Sequence, residues 1–229
     1  MPVKPMSSDR HQSEISDSYN EWAETYDSVQ NRTRDLAAEV LRKTDLNLAG
    51  REVIEVGCGT GRNTEWLARQ AGSTNIVGMD FSEAMLARAQ ARVRASVNDG
   101  RVRFIQHDVQ TPWPLAADSA DVVIAMLILE HVEQLEPVFA EAARVLRAAG
   151  EFFVCELHPE RQLQGKQARF TNAKTGESKL VTAFLHRVED YLQAGTTAGF
   201  ERVELAEWRV EDEDAPPQPP RLLSLHFHV

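Results

Sequence analysis

Apolar residues recur along the chain in two alternating rhythms. The runs EVIEV (52–56), NIVGM (75–79), VRFI (102–105), DVVIAM (121–126) and EFFVCEL (151–157) predict strands, and the unbroken DVVIAM predicts one buried on both faces. Between them, apolar positions step by three and four. Residues 62–71 predict a helix ended by Gly72; Met85, Ala89, Val93 and Val97 predict one starting at Ser82; and Leu135, Val138, Phe139, Ala142, Val145 and Leu146 predict one closing near Gly150. Upstream, Tyr19, Trp22, Ala23 and Tyr26 within 17–29, then Leu36, Ala37, Val40 and Leu41, predict two short N-terminal helices.

Strand and helix therefore alternate, which requires parallel strands joined by crossover helices. The expectation is an α/β, Rossmann-like doubly wound sheet with helices on both faces and ligands at the carboxyl ends of its strands. The alternation stops after 157. ARFT and KLVTAFLH flank a polar, glycine-containing turn and predict a small β-hairpin cap; 187–198 predicts a helix closed at Gly199. ERVELAEW and RLLSLHFHV, joined by the solvated loop EDEDAPPQPP, predict an antiparallel edge pair. Seven strands result, five of them parallel. The expected division is 1–50 as helices over the site, 51–157 as the binding core, 158–186 as the cap, and 187–229 as the last helix and strands of the same domain.

Composition narrows the class. The chain has 229 residues, 42% hydrophobic and 26% charged, an ordinary globular balance. A net charge of -10 opposes approach to nucleic acid or anionic membrane and favours a small-molecule partner. Cys58 and Cys155 lack the paired spacing of a disulfide framework or zinc site, and the longest apolar run, 122–129, is short of the roughly 20 residues needed to span a bilayer. A cytoplasmic protein without a metal is the expectation.

The candidate chemistry begins at EVGCGTG (55–61), where strand meets helix. Gly57, Gly59 and Gly61 let the backbone approach a ligand closely; a tight βα turn is the plainer alternative. A dinucleotide fingerprint counted from Gly57 would need glycine at 62, where Arg62 stands. Asp80 ends the second strand and can accept hydrogen bonds from both hydroxyls of a ribose. Asp108 in HDV ends the third strand and could accept from an adenine amine or form a turn.

EVGCGTG, GMDFS, the HDV that precedes PWPLAADSADVVI, and the LEHV after the fourth strand, in that order, resemble a class I S-adenosylmethionine-dependent methyltransferase over almost the whole chain. Within that class, DVVIAMLILEHV with RVLRAAGEFFVCE is similar to the small-molecule branch that includes ubiquinone- and menaquinone-biosynthesis methyltransferases. The resemblance implies that Gly57, Gly59 and Gly61 line the methionine part of S-adenosyl-L-methionine, with Glu55 supporting their loop. It implies ribose on Asp80, adenine packed by Phe81 and Met85, the adenine edge read by Asp108 and Val109, and the amino group met by backbone at Ala125 and Met126. Tyr19 and Tyr26 either close over the cofactor's carboxylate or belong to plain core. The product would be S-adenosyl-L-homocysteine.

A methyl acceptor that must lose a proton needs a general base. His131, just past the fourth strand, is the first candidate and His158, past the fifth, the second; either could instead be a structural loop or cap residue. Between 158 and 180, Arg161, Lys166, Arg169, Lys174 and Lys179 face only Glu160 and Glu177. Such a stretch could attract an anionic acceptor, with His158, Arg161 and Arg169 touching it, or be a solvated hairpin face. No [DN]-P-P-[YF] follows the fourth strand, unlike amino-methylating nucleic-acid enzymes. The competing functions are a non-catalytic cofactor-binding partner subunit and a nicotinamide-dependent oxidoreductase. A homodimer is compatible with the sequence.

Overall fold

The computed structural model describes residues 8–97, 100–172, 175–210 and 218–229. Two helices come first, α1 (Ser8–Trp22) and α2 (Arg32–Lys43). The alternation then runs β1 (Glu52–Val56), α3 (Arg62–Arg69), β2 (Asn75–Asp80), α4 (Glu83–Ser96), β3 (Val102–Gln106), β4 (Ala120–Met126), α5 (Leu135–Val145) and β5 (Leu146–Leu157). A short helix α6 (Pro159–Leu163), a hairpin of β6 (Arg169–Thr171) and β7 (Ser178–Leu180), α7 (Val188–Ala198), β8 (Arg202–Trp208) and β9 (Leu222–His228) complete it.

The main sheet has seven strands in the order β3-β2-β1-β4-β5-β9-β8, the first five parallel and the last two antiparallel, as the sequence predicts. Alternate strand residues serve opposite cores, because successive side chains point to opposite faces. Ile54, Val123, Phe152 and Phe227 pack with Phe139 of α5 and Tyr191 of α7; Val53, Ile124 and Phe153 pack with Leu41 of α2 and Leu67 of α3. Among the described residues no helix is long and apolar enough to cross a membrane.

Several boundaries differ from the sequence reading, each for a local reason. The first helix starts earlier and stops at Trp22, and the chain turns before Asn31 caps α2 by accepting from the Thr33 and Arg34 amides. Helix α5 ends at Val145, not near Gly150: Leu146 is already extended and pairs with Ala120. The next pair in register is Val122 with Glu151, so residues 147–150 bulge from the ladder, with Ala149 at a φ of 61°. Gly150 sits there because a Cβ would lie 2.7 Å from the Arg147 carbonyl oxygen. Strand β7 ends at Leu180, short of 186, because the Thr182 carbonyl and Phe184 amide turn to bond His131 and Glu130. The expected loop 211–220 lies outside the described residues from 211 to 217.

Candidate functional site

Two adjoining cavities open where β1, β2 and β4 end. The smaller, about 70 Å³, is lined by the glycine turn, the ends of β2 and β3, the segment after β4, and α1. The larger, about 900 Å³, lies between the start of α2, the α6–hairpin segment and the segments flanking β8 and β9. Tyr19, Tyr26 and Leu127 line both.

The glycine turn is shaped by backbone freedom. Gly57, Gly59 and Gly61 all have positive φ, at 69°, 53° and 75°. Gly57 and Gly59 line the smaller cavity; Gly61 instead lies against Ala89 of α4, where a Cβ would come within 2.9 Å. A Cβ on Gly57 would strike Ile128, whereas one on Gly59 would meet nothing within 4 Å. The turn therefore leaves space above Gly59. Glu55 lies buried beneath it, accepting from the Thr64 hydroxyl, and burial pushes its carboxyl up to about 7.

Asp80 holds this turn against the next one. Its Oδ2 accepts from the Gly59 amide at 2.8 Å and its Oδ1 from the Ser82 amide at 2.9 Å. Burial pushes the carboxyl up to about 6, against the downward pull of those amides. A carboxylate has about four lone-pair sites, so two remain for ligand hydroxyls. Phe81, Met85, Asp108, Val109 and Met126 line the same cavity. Asp108 also accepts from the Gln110 amide at 3.0 Å, so the turn reading holds alongside any ligand role. Ala125 is fully buried within β4 and does not line it.

On the wall of the smaller cavity, beside Tyr19, His131 is pinned by both ring nitrogens. Nδ1 lies 2.7 Å from the Thr182 carbonyl, which can only accept, so Nδ1 carries a proton. Nε2 of the neutral ring then accepts from the Tyr19 hydroxyl at 2.8 Å. Burial raises the Tyr19 phenol well above its ordinary value, and Tyr26 and Glu130 push it the same way. Glu130 Oε1 stands 3.7 Å from the same Nε2.

The other expected residues divide. Arg161 and Arg169 line the larger cavity, and Arg161 donates to the carbonyls of Pro219 and Pro220. His158 lines neither cavity; its Nδ1 accepts from the Glu160 amide, capping α6, and its Nε2 lies 3.5 Å from Glu207. That is the cap-type reading of this histidine. Sequence reading missed Ile128 and Leu127, whose positive φ of 55° carries no sequence signal. It also missed Glu156, whose Oε1 accepts from the Ile128 and Leu129 amides, fixing the segment that carries His131. A carboxylate inside an apolar strand run was the available sign. Among the described residues, Glu151, His226 and His228 bring metal-ligand types within 4.8 Å, but in the β5–β9 ladder four residues before the carboxyl end of β4, with Arg51 and Arg202 bonded onto them.

Residues 54–154 match a family model described as a methyltransferase domain. The chain is 31% identical over 223 residues to an uncharacterized methyltransferase of Emericella nidulans, covering 84% of this chain and 77% of that one. It is 30% identical over 161 residues to a demethylmenaquinone methyltransferase of Tropheryma whipplei, spanning 66% of this chain and 63% of that protein. A crystal structure of an S-adenosylmethionine dependent methyltransferase from Mesorhizobium loti shares the fold, with a TM-score of 0.68 at 24% identity over 85% of this chain and 99% of that one.

Proposed function

Because this chain belongs to the S-adenosylmethionine-dependent methyltransferase family, we propose that it binds S-adenosyl-L-methionine in the smaller cavity and methylates a small molecule held in the larger one. The observation that carries this reading is the convergence of the open glycine turn and the Asp80 carboxylate on one side of Tyr19, with a second cavity on its other side.

The residues fit the cofactor's groups. Asp80 offers lone pairs to ribose hydroxyls, Phe81 and Met85 offer apolar surface to the adenine, and the space above Gly59 suits the methionine part. The cavity is small for that load, since ligand pockets run to roughly 300–1,000 Å³. Room has to come from α1 and Ile128; the polar ties of α1 to the core gather toward its end, where Tyr19 bonds His131, Asn20 accepts from Ser82 and Ala84, and Glu21 pairs with Lys179 of β7. We read residues 1–50 and 158–186 as the parts that cover a core built by 51–157.

When bound, S-adenosyl-L-methionine supplies a methyl carbon on a sulfonium leaving group. The chain's own task is to orient the acceptor and exclude water. Where the acceptor must lose a proton, His131 acts through Tyr19: the phenol oxygen takes the acceptor's proton as its own passes to His131 Nε2. A bare binding subunit would have no use for such a pair, whose Tyr19 also lines a second cavity. Arg62 and the absence of a glycine there disfavour a nicotinamide cofactor.

The test is calorimetric titration with S-adenosyl-L-methionine and S-adenosyl-L-homocysteine. Asp80→Asn should weaken both by tenfold or more, since charge-assisted hydrogen bonds contribute roughly 1.5–3 kcal/mol each and 1.4 kcal/mol is tenfold. Hydroxyls donate to the ionised carboxylate, so the parent's affinity should fall as pH drops through about 6. A parent that binds neither ligand, or a variant of unchanged affinity, overturns the assignment.

A further inference from the structure

The larger cavity is cationic out of proportion to the chain around it. In a molecule of net charge -10, Arg32, Arg161, Lys166, Arg169 and Arg221 line one cavity of about 900 Å³, joined by Arg34 and Arg209, with Glu130 as the acid among the described residues of its wall. These cations come from four separate segments of the chain, so no single surface helix or charge run explains their meeting. Three of them donate to neutral oxygens. Arg34 donates to the carbonyls of Tyr26 and Val29, Arg161 to those of Pro219 and Pro220, and Arg221 to the Thr33 hydroxyl. Among the described residues Arg209 alone of this set reaches a carboxylate, Glu207 at 3.7 Å.

Arg34 and Arg221 each bury an Nε–H without a hydrogen-bond acceptor. Arg221 loses water by burial and is repelled by Arg161 and Arg32, and both effects push its pKa down. Like charges left uncompensated are costly, and an anion seated among the cavity-lining guanidiniums relieves that repulsion. One carboxylate would leave most of this charge unmet. A phosphate monoester carries about -1.5 to -2 at pH 7 and three acceptor oxygens, which suits several guanidinium forks at once.

We propose that this basin is the acceptor's binding site and that the acceptor is a small phosphate monoester, its phosphate among Arg161, Arg169 and Arg221 and its methylated atom at Tyr19. The proposal rests on the methyl-transfer reading for the second half of that statement only. The phosphate group forms and breaks no bond; it is a handle that sets the reacting atom beside the Tyr19–His131 pair.

The test uses the full chain without cofactor, at fixed ionic strength because exposed charge is screened. Calorimetry and melting temperature are read with glycerol 3-phosphate and inorganic phosphate, against succinate and acetate. Both phosphates should bind and raise the melting temperature, with succinate at least tenfold weaker. Arg221→Gln should weaken glycerol 3-phosphate by tenfold or more while S-adenosyl-L-homocysteine affinity stays as in the parent. Should Arg221→Gln fail to fold, the double variant Lys166→Gln with Arg169→Gln, both on the exposed side of the cavity, carries the same expectation. Succinate binding as tightly as the phosphates, or phosphate affinity unmoved in the variants, overturns the phosphate assignment. A parent that binds phosphate but not S-adenosyl-L-homocysteine refutes the methyl-transfer reading and leaves the basin standing.

Discussion

Tyr19 ties the site together at the scale of single residues. Its ring packs near Trp22, Tyr26 and Phe81, its hydroxyl meets His131, and it borders both cavities. The aromatic stripe in the sequence packs as core and also lines both cavities, which is why periodicity alone left its role open. A general base contributes typically 10² to 10⁴ in rate, so for an acceptor that must lose a proton His131→Ala should lower turnover by about that factor. Tyr19→Phe should do the same if the proton passes through its oxygen. The decisive comparison is the double variant measured by steady-state kinetics: members of one relay are strongly non-additive, so the double loss should match the larger single loss. Losses that multiply would separate the two residues, and full turnover in Tyr19→Phe would remove it from the path.

Among the elements, the β1–α3 turn shows how far sequence can be read and where it stops. EVGCGTG announced a strand, a glycine turn and a helix start, and β1 and α3 begin where expected, at Glu52 and Arg62. It did not announce that its three glycines have different duties, because those depend on partners far along the chain: Ile128 for Gly57 and Ala89 for Gly61. The same limit hid the cationic basin. Arg161 and Arg169 stood out in a locally basic stretch, but Arg32, Arg209 and Arg221 join them only through the sheet's topology. Alternation of apolar runs with helical segments sufficed for the five parallel strands, whereas the short hairpin ends where the Phe184 amide bonds the Glu130 carbonyl and the Thr182 carbonyl accepts from the His131 ring, contacts that no pattern encodes. The glycine turn gives a contrast that can be measured. Gly59→Ala has only positive-φ strain to absorb, roughly 1–2 kcal/mol, so it should fold, yet lose cofactor affinity because its methyl enters the open space. Gly57→Ala adds a collision with Ile128 and should lower the denaturation midpoint clearly more. Adding Ile128→Ala to Gly57→Ala should recover part of that loss; no recovery would mean the collision is not what Gly57 avoids.

Over the whole molecule, the balance of carboxyl groups sets how stability answers pH. Burial raises Asp80 from 3.8 to about 6, Glu55 from 4.5 to about 7 and Glu156 from 4.5 to about 8, so all three favour the protonated fold. For a raised acid, stability is complete below the unfolded value and is lost as pH rises through the folded one. Ion pairs and hydrogen bonds lower Glu52, Asp121 and Glu141, and their contribution is present above the unfolded value and lost as pH falls. The two sets together place maximal stability in mild acid, and the growing negative charge of the chain acts in the same direction above it. Glu156 has the largest share: its Oε1 accepts two amides, but its Oε2 is buried without a partner. Glu156→Gln keeps an acceptor oxygen, cannot ionise, and should raise stability at pH 8.5 by on the order of 2 kcal/mol, or roughly 4–8 °C in Tm for a chain of this size. At pH 5 the same substitution should change Tm little. Scanning calorimetry of parent and variant across pH 5 to 9 checks this, with Glu201→Gln, an exposed position, as the control for net charge. A parent whose Tm is flat or rises toward pH 8.5, or a control that gains as much as Glu156→Gln, would assign the pH response to overall charge and not to this buried carboxyl.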